Sequence, residues 1–216
     1  MRPLLMLTLP NSGSTWFASL LAEHIPDCSY YSKEFFNPVC NLKHEMVLRR
    51  NFGCELVECY RNIAKRGDKH IDDDIRATWG AEQYTFTKEC NSAFKLPVFD
   101  RHFNCFVFLR SAANTFPPGR VRVWSFYEHA WFALKEAGLY GLHGVTTMDR
   151  AVEAHAILTD VILRDAARLK VPVINYEEVF SDPASIVSRL LSVTPLSDGL
   201  MDGITATGWQ RARDAA

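Results

Sequence analysis

The amino-acid sequence predicts an α/β fold with a parallel β-sheet at its centre. Residues 4–25 read LLMLTLPNSGSTWFASLLAEHI, in which a short apolar run is broken by a polar loop and followed by apolar residues at helical spacing. Further short apolar runs stand at residues 105–109 (CFVFL) and 171–175 (VPVIN). Unbroken apolar strands are typical of parallel sheets that helices cover on both faces. The chain therefore begins with a predicted strand, loop and helix.

The loop after the first strand has the composition of an anion-binding site. Ser12, Ser14 and Thr15 carry hydroxyl groups, and Gly13 has no side chain to keep an anion at a distance. The N–H groups of these four residues are expected to lie at the N-terminus of the following helix, where helical N–H groups lack intrahelical acceptors. We predict a phosphate cradle here. The alternative is an ordinary strand-to-helix connection rich in small polar residues.

The order of residues in the loop distinguishes between kinds of phosphate. The nucleoside triphosphate pattern G-x-x-x-x-G-K-[ST] requires Gly where this chain has Thr8 and Lys where it has Ser14. The string TLPNSGSTW instead resembles the 5′-phosphosulfate loop of sulfotransferases that use 3′-phosphoadenosine 5′-phosphosulfate (PAPS), T-x-P-K-S-G-T-T-W. This resemblance implies that Asn11 and the next four residues bind the phosphosulfate, with Trp16 against the adenine. The family has Lys at the position of Asn11, where it helps to neutralise the leaving phosphate.

A carboxylate is predicted at the end of the second strand, residues 28–31. Glu34 follows this strand, and the carboxyl ends of parallel strands share one edge of the sheet, so Glu34 is expected near the loop. Its context, KEFFN, resembles the E-[YF]-F-N and K-E-x-x-F-F contexts of the catalytic Glu in carbohydrate-type sulfotransferases. The resemblance implies that Glu34 is the general base. A surface Lys–Glu pair at a turn is the alternative.

Two further residues are candidates for the chemistry. Residues 93–97 (AFKLP) stand where cytosolic sulfotransferases have a strand ending in a T-H-L-P-like motif with a catalytic His, and Lys95 takes the place of that His. Lys95 is therefore a candidate for the positive charge that Asn11 does not supply. His102, a single His beside Arg101 before the next strand, is the second candidate for the base.

Arg110 directly follows the CFVFL strand. An Arg at this end of a parallel strand faces the ligand edge, where its guanidinium can hold a phosphate bidentately. The resemblance implies that Arg110 and a Ser hold the 3′-phosphate of the cofactor. Ser125, in VWSFYEHAW, is the counterpart if the preceding residues form a loop, and Ser111 is the fallback. After the last strand, YEEVFSDP is again similar to the family pattern and implies that Tyr176 lies near the adenine.

Helical patterns fill the other long intervals. Apolar residues at helical spacing predict amphipathic helices at 41–67, 121–137 and 148–169, and Asp182-Pro183 predicts the start of another. The aspartates at 72–74 suit a helix N-terminus, and no metal site is predicted because consecutive carboxylates do not share a helical face.

Length and composition restrict the possible partners. A chain of 216 residues with 48% hydrophobic residues is expected to form one domain, residues 1–216. Its formal net charge of −1 provides no overall field for nucleic acid or an anionic membrane. The apolar N-terminal run is too short for a signal peptide and no segment is long enough to span a bilayer, so we expect a cytoplasmic protein with no membrane partner.

The sulfotransferase resemblance runs from residue 7 to residue 183. It implies a three-layer α/β sandwich of the P-loop nucleoside-triphosphatase type and transfer of a sulfuryl group from PAPS, without a metal, to a hydroxyl or amine. The acceptor is expected to be a small molecule or a glycan. Two alternatives remain open: a P-loop kinase for a nucleoside or small molecule, and a non-catalytic nucleotide-binding protein.

Overall fold

The structure of the protein is a computed structural model that describes residues 2–34, 68–79, 84–90, 92–116, 121–138 and 140–214. Its strands are β1 (Leu4–Thr8), β2 (Tyr30–Glu34), β3 (Phe86–Glu89), β4 (Asn104–Leu109) and β5 (Val173–Asn175). The helices of the described residues are α1 (Ser14–His24), α2 (Asp68–Trp79), α3 (Leu96–Phe99), α4 (Ala112–Thr115), α5 (Val121–Glu136), α6 (Thr147–Leu169), α7 (Tyr176–Ser181), α8 (Pro183–Leu191) and α9 (Leu200–Asp214). The helix predicted at 41–67 lies outside the described residues.

The strands form one parallel sheet in the order β2-β3-β1-β4-β5. All five residues of β1 are buried, as are all four of β3 and the last five of β4. Burial on both faces explains why β1 and β4 read as continuous apolar runs in the sequence. The predicted α/β fold with a central parallel sheet is confirmed.

Helices cover both faces of this sheet. On one face, α1, α7, α8 and α9 share an apolar cluster with alternate strand residues, and Phe17 of α1 stacks on Phe108 of β4 with ring centroids 4.6 Å apart. On the other face, α2, α3, α5 and α6 pack in a second cluster that includes Trp131 and Leu158. Successive side chains of a strand point to opposite faces, and β1 and β4 accordingly contribute residues to both clusters. The three-layer sandwich is therefore confirmed.

Local sequence signals define the starts of two helices. The Thr146 side chain accepts a hydrogen bond from the Asp149 N–H and the Asp149 carboxylate accepts one from the Thr146 N–H, forming a capping box at the start of α6. Asp182 caps α8 by accepting a hydrogen bond from the N–H of Ser185, and Pro183 occupies the first turn. The predicted helices at 121–137 and 148–169 are confirmed as α5 and α6.

The chain leaves β1 and β4 in opposite directions. From β1 it passes through α1 to β2, on one side of β1, whereas from β4 it passes through α4, α5 and α6 to β5, on the other side. In open α/β sheets, ligands bind at the carboxyl ends of two strands whose connections diverge in this way. The crevice between the ends of β1 and β4 is therefore the position where the topology favours a site.

Two sequence-based expectations about strands are wrong. Residues 93–97 do not form a strand: Ala93–Lys95 is a 3₁₀ turn and α3 follows it, with Pro97 in its first turn, where proline is well tolerated. The strand in this part of the chain is instead β3, a few residues earlier. It contains Lys88 and Glu89, so it lacks the apolar run by which a buried strand is recognised in a sequence. The second strand also runs further than expected, so Glu34 is its last residue.

No helix in the described part of the chain is long and apolar enough to cross a membrane.

Candidate functional site

The loop between β1 and α1 has a backbone conformation suited to close approach by an anion. Asn11 and Gly13 both have positive φ, 61° and 83°, in the left-handed region where Gly and Asn are favoured. Gly13 is the N-cap of α1 and provides no side-chain cap, so the N–H groups of the first turn are not covered by a side chain at that position. The N–H of Phe17 makes an intrahelical bond, to the Gly13 carbonyl, at 3.2 Å. The N–H groups of the first turn that precede Phe17 have no such intrahelical acceptor and are directed outward at the helix N-terminus.

The hydroxyl groups of the loop have different surroundings. Ser12 is 1% exposed and its Oγ lies 2.5 Å from Oγ1 of Thr8, within hydrogen-bonding distance. This hydroxyl therefore braces the loop internally. Ser14 is buried, whereas Thr15 is exposed.

The side chain of Asn11 makes a contact within the protein. Its Nδ2 donates to the carbonyl of Thr115 at 2.7 Å, which ties the loop after β1 to the segment after β4. A second tie comes from α5, where the hydroxyl of Tyr127 donates to the Pro10 carbonyl at 2.8 Å. Asn11 thus fixes the crevice by bonding within the protein.

Arg110 lies in this crevice, as expected from its position after β4. Its Nη1 donates to the Asn11 carbonyl at 3.3 Å and its Cζ lies 4.4 Å from the centroid of the Tyr176 ring, at cation–π distance. Its Nε is buried and has no hydrogen-bond partner among the described residues. A buried guanidinium N–H without an acceptor is costly, and an anionic ligand would satisfy it.

Tyr176 joins β5 to the same cluster. A Cβ atom on Gly13 would lie 2.8 Å from Cε2 of Tyr176, so the ring packs directly against the loop. The predicted residues Asn11, Gly13, Arg110 and Tyr176 are therefore brought together from the ends of three strands. Trp16 stacks on Phe180, with ring centroids 5.4 Å apart.

Ser111, the fallback for the 3′-phosphate, is bonded to a carboxylate. Its N–H and its hydroxyl donate to Oε1 of Glu177 at 3.1 and 2.7 Å, and Asn114 Nδ2 donates to the same oxygen at 2.8 Å. Burial acts to raise the pKa of Glu177, but the hydrogen bonds from Asn114 and Ser111 outweigh it and hold the pKa below its usual value. Ser111 would have to leave Glu177 in order to contact a phosphate. Ser125, the first choice, lies in α5, and its side chain is outside the described part of the structure.

Glu34 lies toward the loop edge of the sheet, but not on a strand next to β1. Its Cα is in register with Lys88 of β3, and Lys88 is in register with Met6 of β1. Two strand spacings of about 4.8 Å therefore separate the Glu34 backbone from β1, roughly 10 Å. The side chain of Glu34 is not among those described.

The strand between them carries two charged residues that the sequence analysis did not identify. Lys88 and Glu89 are 4% and 0% exposed at the carboxyl end of β3. Glu89 accepts a hydrogen bond from the N–H of Ser92 at 3.2 Å. Charged residues are seldom buried without a specific role or partner, so this pair is a candidate part of the site. The signal in the sequence is a β-branched and aromatic run, YTFT, followed directly by these charges.

Lys95 and His102 both bond to acidic residues of α2. Lys95 Nζ pairs with Oδ1 of Asp68 at 3.3 Å, and His102 Nε2 lies 2.6 Å from Oδ1 of Asp72. His102 precedes β4, which spans roughly 17 Å, whereas Arg110 follows it, so His102 is at the opposite edge of the sheet. Its hydrogen bond is the main cause of the lowered pKa of Asp72. Both candidates instead dock the acidic face of α2.

His155 is a residue whose relation to the site the sequence does not reveal. It is 5% exposed, in α6. Its ring contacts Phe116 and Tyr127 edge-on, with centroid distances of 5.5 and 5.3 Å. Burial lowers the pKa of His155, which favours the neutral imidazole.

Among the residues that the structure describes, no group of three or more His, Cys, Asp or Glu side chains is arranged to hold a metal ion.

No protein-family model matches the chain. No curated protein matches it either. Among solved structures, the chain is similar to a sulfotransferase domain from the curacin biosynthetic pathway, with a TM-score of 0.49 and 19% sequence identity over 94% of this chain and 77% of that one.

Proposed function

We propose that this protein is a sulfotransferase that moves a sulfuryl group from PAPS to a hydroxyl or amine of a small-molecule or glycan acceptor. The observation that carries the proposal is the placement of Arg110. Its guanidinium stacks on Tyr176, bonds the phosphate loop and keeps a buried Nε without an acceptor among the described residues. A cation beside a helix N-terminus provides two anchors for a ligand with two separate anionic groups.

PAPS is such a ligand, because it carries a 5′-phosphosulfate and a 3′-phosphate on one ribose. In the proposed arrangement, the N–H groups at the start of α1 bind the phosphosulfate and Arg110 binds the 3′-phosphate. Tyr176 then lies under the guanidinium and beside the nucleoside. The loop sequence TLPNSGSTW, which resembles the phosphosulfate loop of the family, supports this choice over a nucleoside triphosphate.

The reaction follows from these positions. The acceptor oxygen or nitrogen forms a bond to sulfur as the bond from sulfur to the 5′-phosphate oxygen breaks, and Glu34 takes the acceptor proton. The products are the sulfated acceptor and 3′-phosphoadenosine 5′-phosphate. Positioning of the two substrates and N–H groups directed at the leaving phosphate provide most of the catalysis.

Lys88 supplies the positive charge that sulfotransferases of the family obtain from a Lys in the loop, at the position where this chain has Asn11. Lys88 is buried near the carboxyl end of β3, which is the strand next to β1. Its Cα is in register with that of Met6 in β1. A buried ammonium near the leaving phosphate stabilises negative charge more strongly than an exposed one, because the local dielectric constant is lower. Lys95, which pairs with Asp68 of α2, is the alternative source of this charge.

The direct test is transfer of radiolabelled sulfate from PAPS to a panel of glycans, phenols, lipids and amines. Glu34→Gln keeps the shape of the side chain but removes the base, so turnover should fall by roughly 10²- to 10⁴-fold with nearly unchanged PAPS affinity. Glu23→Gln, on the exposed side of α1, is the matched control and should be fully active. A fully active Glu34→Gln enzyme beside an inactive His102→Ala enzyme would transfer the role of base to His102.

A second candidate is a non-catalytic nucleotide-binding protein. The observation in its favour is that Asn11 stands where the family has Lys and is bonded to Thr115 within the protein. Tight binding of 3′-phosphoadenosine 5′-phosphate without transfer to any acceptor would favour this candidate.

A further inference from the structure

We propose that Glu177 is a specificity-determining residue: its carboxylate occupies hydrogen-bond donors beside Arg110 and leaves them only for a ligand with an anionic group at the 3′-position. This inference rests on the proposed function, in which Arg110 binds the 3′-phosphate. Glu177 lies in the first turn of α7, directly after Tyr176, and it is exposed. Because the side chain is exposed, it can turn toward solvent without a rearrangement of the core.

Three donors converge on one oxygen of this carboxylate. The N–H and the hydroxyl of Ser111 donate to Oε1 of Glu177 at 3.1 and 2.7 Å, and Nδ2 of Asn114 donates to it at 2.8 Å. Ser111 directly follows Arg110, so the donors belong to the segment that carries the guanidinium. A phosphate oxygen accepts the same kind of charge-assisted bonds as a carboxylate oxygen. The carboxylate and a ligand phosphate therefore compete for these donors.

The donors are held in place without Glu177. Nδ2 of Asn114 also donates to Oγ of Ser111 at 3.1 Å, and the N–H of Thr115 donates to the Ser111 carbonyl at 2.9 Å. These bonds remain when the carboxylate turns away, so the donors keep their arrangement. Water is a weaker acceptor than an anion, and the donors then favour an anionic ligand.

The charges at this position make the effect selective. Arg110 keeps a buried Nε without an acceptor among the described residues, although Glu177 is bonded to the next residue of the chain. The carboxylate and a 3′-phosphate are both anions, so they repel each other at shared donors. A nucleotide with a 3′-hydroxyl group leaves Glu177 in place, whereas one with a 3′-phosphate displaces it. Glu177 therefore reduces the affinity that the protein gains from the phosphate.

The test compares two ligands that differ only in the 3′-phosphate. Calorimetry with 3′-phosphoadenosine 5′-phosphate and with adenosine 5′-phosphate gives the ratio of the two affinities. Glu177→Gln keeps an acceptor oxygen but removes the charge, so the ratio should rise by roughly three- to tenfold, the range for exposed charge-assisted bonds. Affinity for adenosine 5′-phosphate should stay within about twofold. If Glu177→Gln does not fold, Glu177→Ala replaces it and should raise the ratio in the same way.

Glu178→Gln is the matched control, because it changes the net charge equally at the next residue. The Glu178 carboxylate accepts a bond from Asn175 Nδ2 at 2.8 Å and pairs with Arg189 at 2.7 Å. This variant should lose stability and keep the wild-type ratio of the two affinities. An equal rise of the ratio in both variants would reflect net charge alone and would overturn the inference.

A double-mutant cycle tests whether Glu177 and the phosphate use the same donors. In the wild-type background, Ser111→Ala removes one bond to the phosphate and one to the carboxylate that it displaces, so the ratio should change by less than about twofold. In the Glu177→Gln background the displaced bond is weaker, and Ser111→Ala should lower the ratio by roughly threefold or more. Equal effects of Ser111→Ala in the two backgrounds would contradict the competition.

The inference and the proposed function fail separately. An unchanged or lowered ratio in Glu177→Gln, while the wild-type protein still prefers 3′-phosphoadenosine 5′-phosphate, would overturn the inference and leave the proposed function intact. Equal binding of the two nucleotides by the wild-type protein and by every variant would overturn both.

Discussion

Gly13 and Tyr176 are in direct contact, since a Cβ on Gly13 would lie 2.8 Å from Cε2 of the Tyr176 ring. Gly13 also has a φ of 83°, which costs an L-residue about 1–2 kcal/mol. Gly13→Ala should therefore strain the loop and push the ring away from Arg110. We expect lower stability by urea titration and at least tenfold weaker binding of 3′-phosphoadenosine 5′-phosphate, roughly 1.4 kcal/mol.

Gly138→Ala is the matched control for this substitution. Gly138 has a similar φ of 67°, but a Cβ there would meet no atom within 4 Å. The Gly138→Ala variant should lose stability through backbone strain alone and should bind 3′-phosphoadenosine 5′-phosphate as tightly as the wild-type protein. Equal affinity of the two variants for the nucleotide would contradict the importance of the contact between Gly13 and Tyr176 for binding.

Asn11 should be more important as a tether than as a missing catalytic residue. Restoring the Lys of the family would increase turnover if position 11 faced the leaving phosphate. However, Asn11→Lys removes the bond to the Thr115 carbonyl and places a long side chain at a φ of 61°. We expect Asn11→Lys to lose about 1 kcal/mol of stability or more and to gain no turnover.

Asn11→Gly distinguishes the two contributions, because it accepts the backbone conformation and loses only the hydrogen bond. Chemical denaturation and sulfate-transfer rates measured on both variants provide the comparison. A several-fold faster Asn11→Lys enzyme would show that position 11 does reach the leaving group.

Lys88 and Lys95 should differ in their effect on turnover. Lys88→Gln removes a buried charge on the strand next to β1, and we expect turnover to fall by about 10- to 100-fold as leaving-group stabilisation is lost. Lys95→Gln removes an ion pair with Asp68 on α2 and should change turnover by less than about twofold. Steady-state kinetics at saturating PAPS measures both, and the reverse ranking would identify Lys95 as the cation.

The sequence predicts the first strand, the strand-to-helix loop that follows it and the position of Arg110 because each is encoded by neighbouring residues. A contiguous apolar run, a Gly at a left-handed position and an Arg after a strand are all local signals. The same reasoning misses β3, because the charges of Lys88 and Glu89 interrupt the pattern of a buried strand, and their environment depends on the tertiary structure.

Long-range contacts account for the other differences. The bonds from Asn11 to Thr115 and from Tyr127 to Pro10 join segments that are distant in sequence. The distance of Glu34 from β1 depends on strand order, since β3 follows β2 in the chain but inserts between β2 and β1 in the sheet. Hydrophobic periodicity contains no information on either point.

The central claim is that the crevice between β1 and β4 binds two separate anionic groups of one nucleotide. Calorimetric titration of wild type and Arg110→Ala with 3′-phosphoadenosine 5′-phosphate, adenosine 5′-phosphate and ATP, with and without Mg²⁺, tests it most directly. We predict that the wild-type protein binds 3′-phosphoadenosine 5′-phosphate most tightly, without a need for Mg²⁺. We also predict that Arg110→Ala loses about 2 kcal/mol, roughly 30-fold, for that ligand and little for adenosine 5′-phosphate. Equal losses for the two ligands, or a Mg²⁺-dependent preference for ATP, would contradict the account.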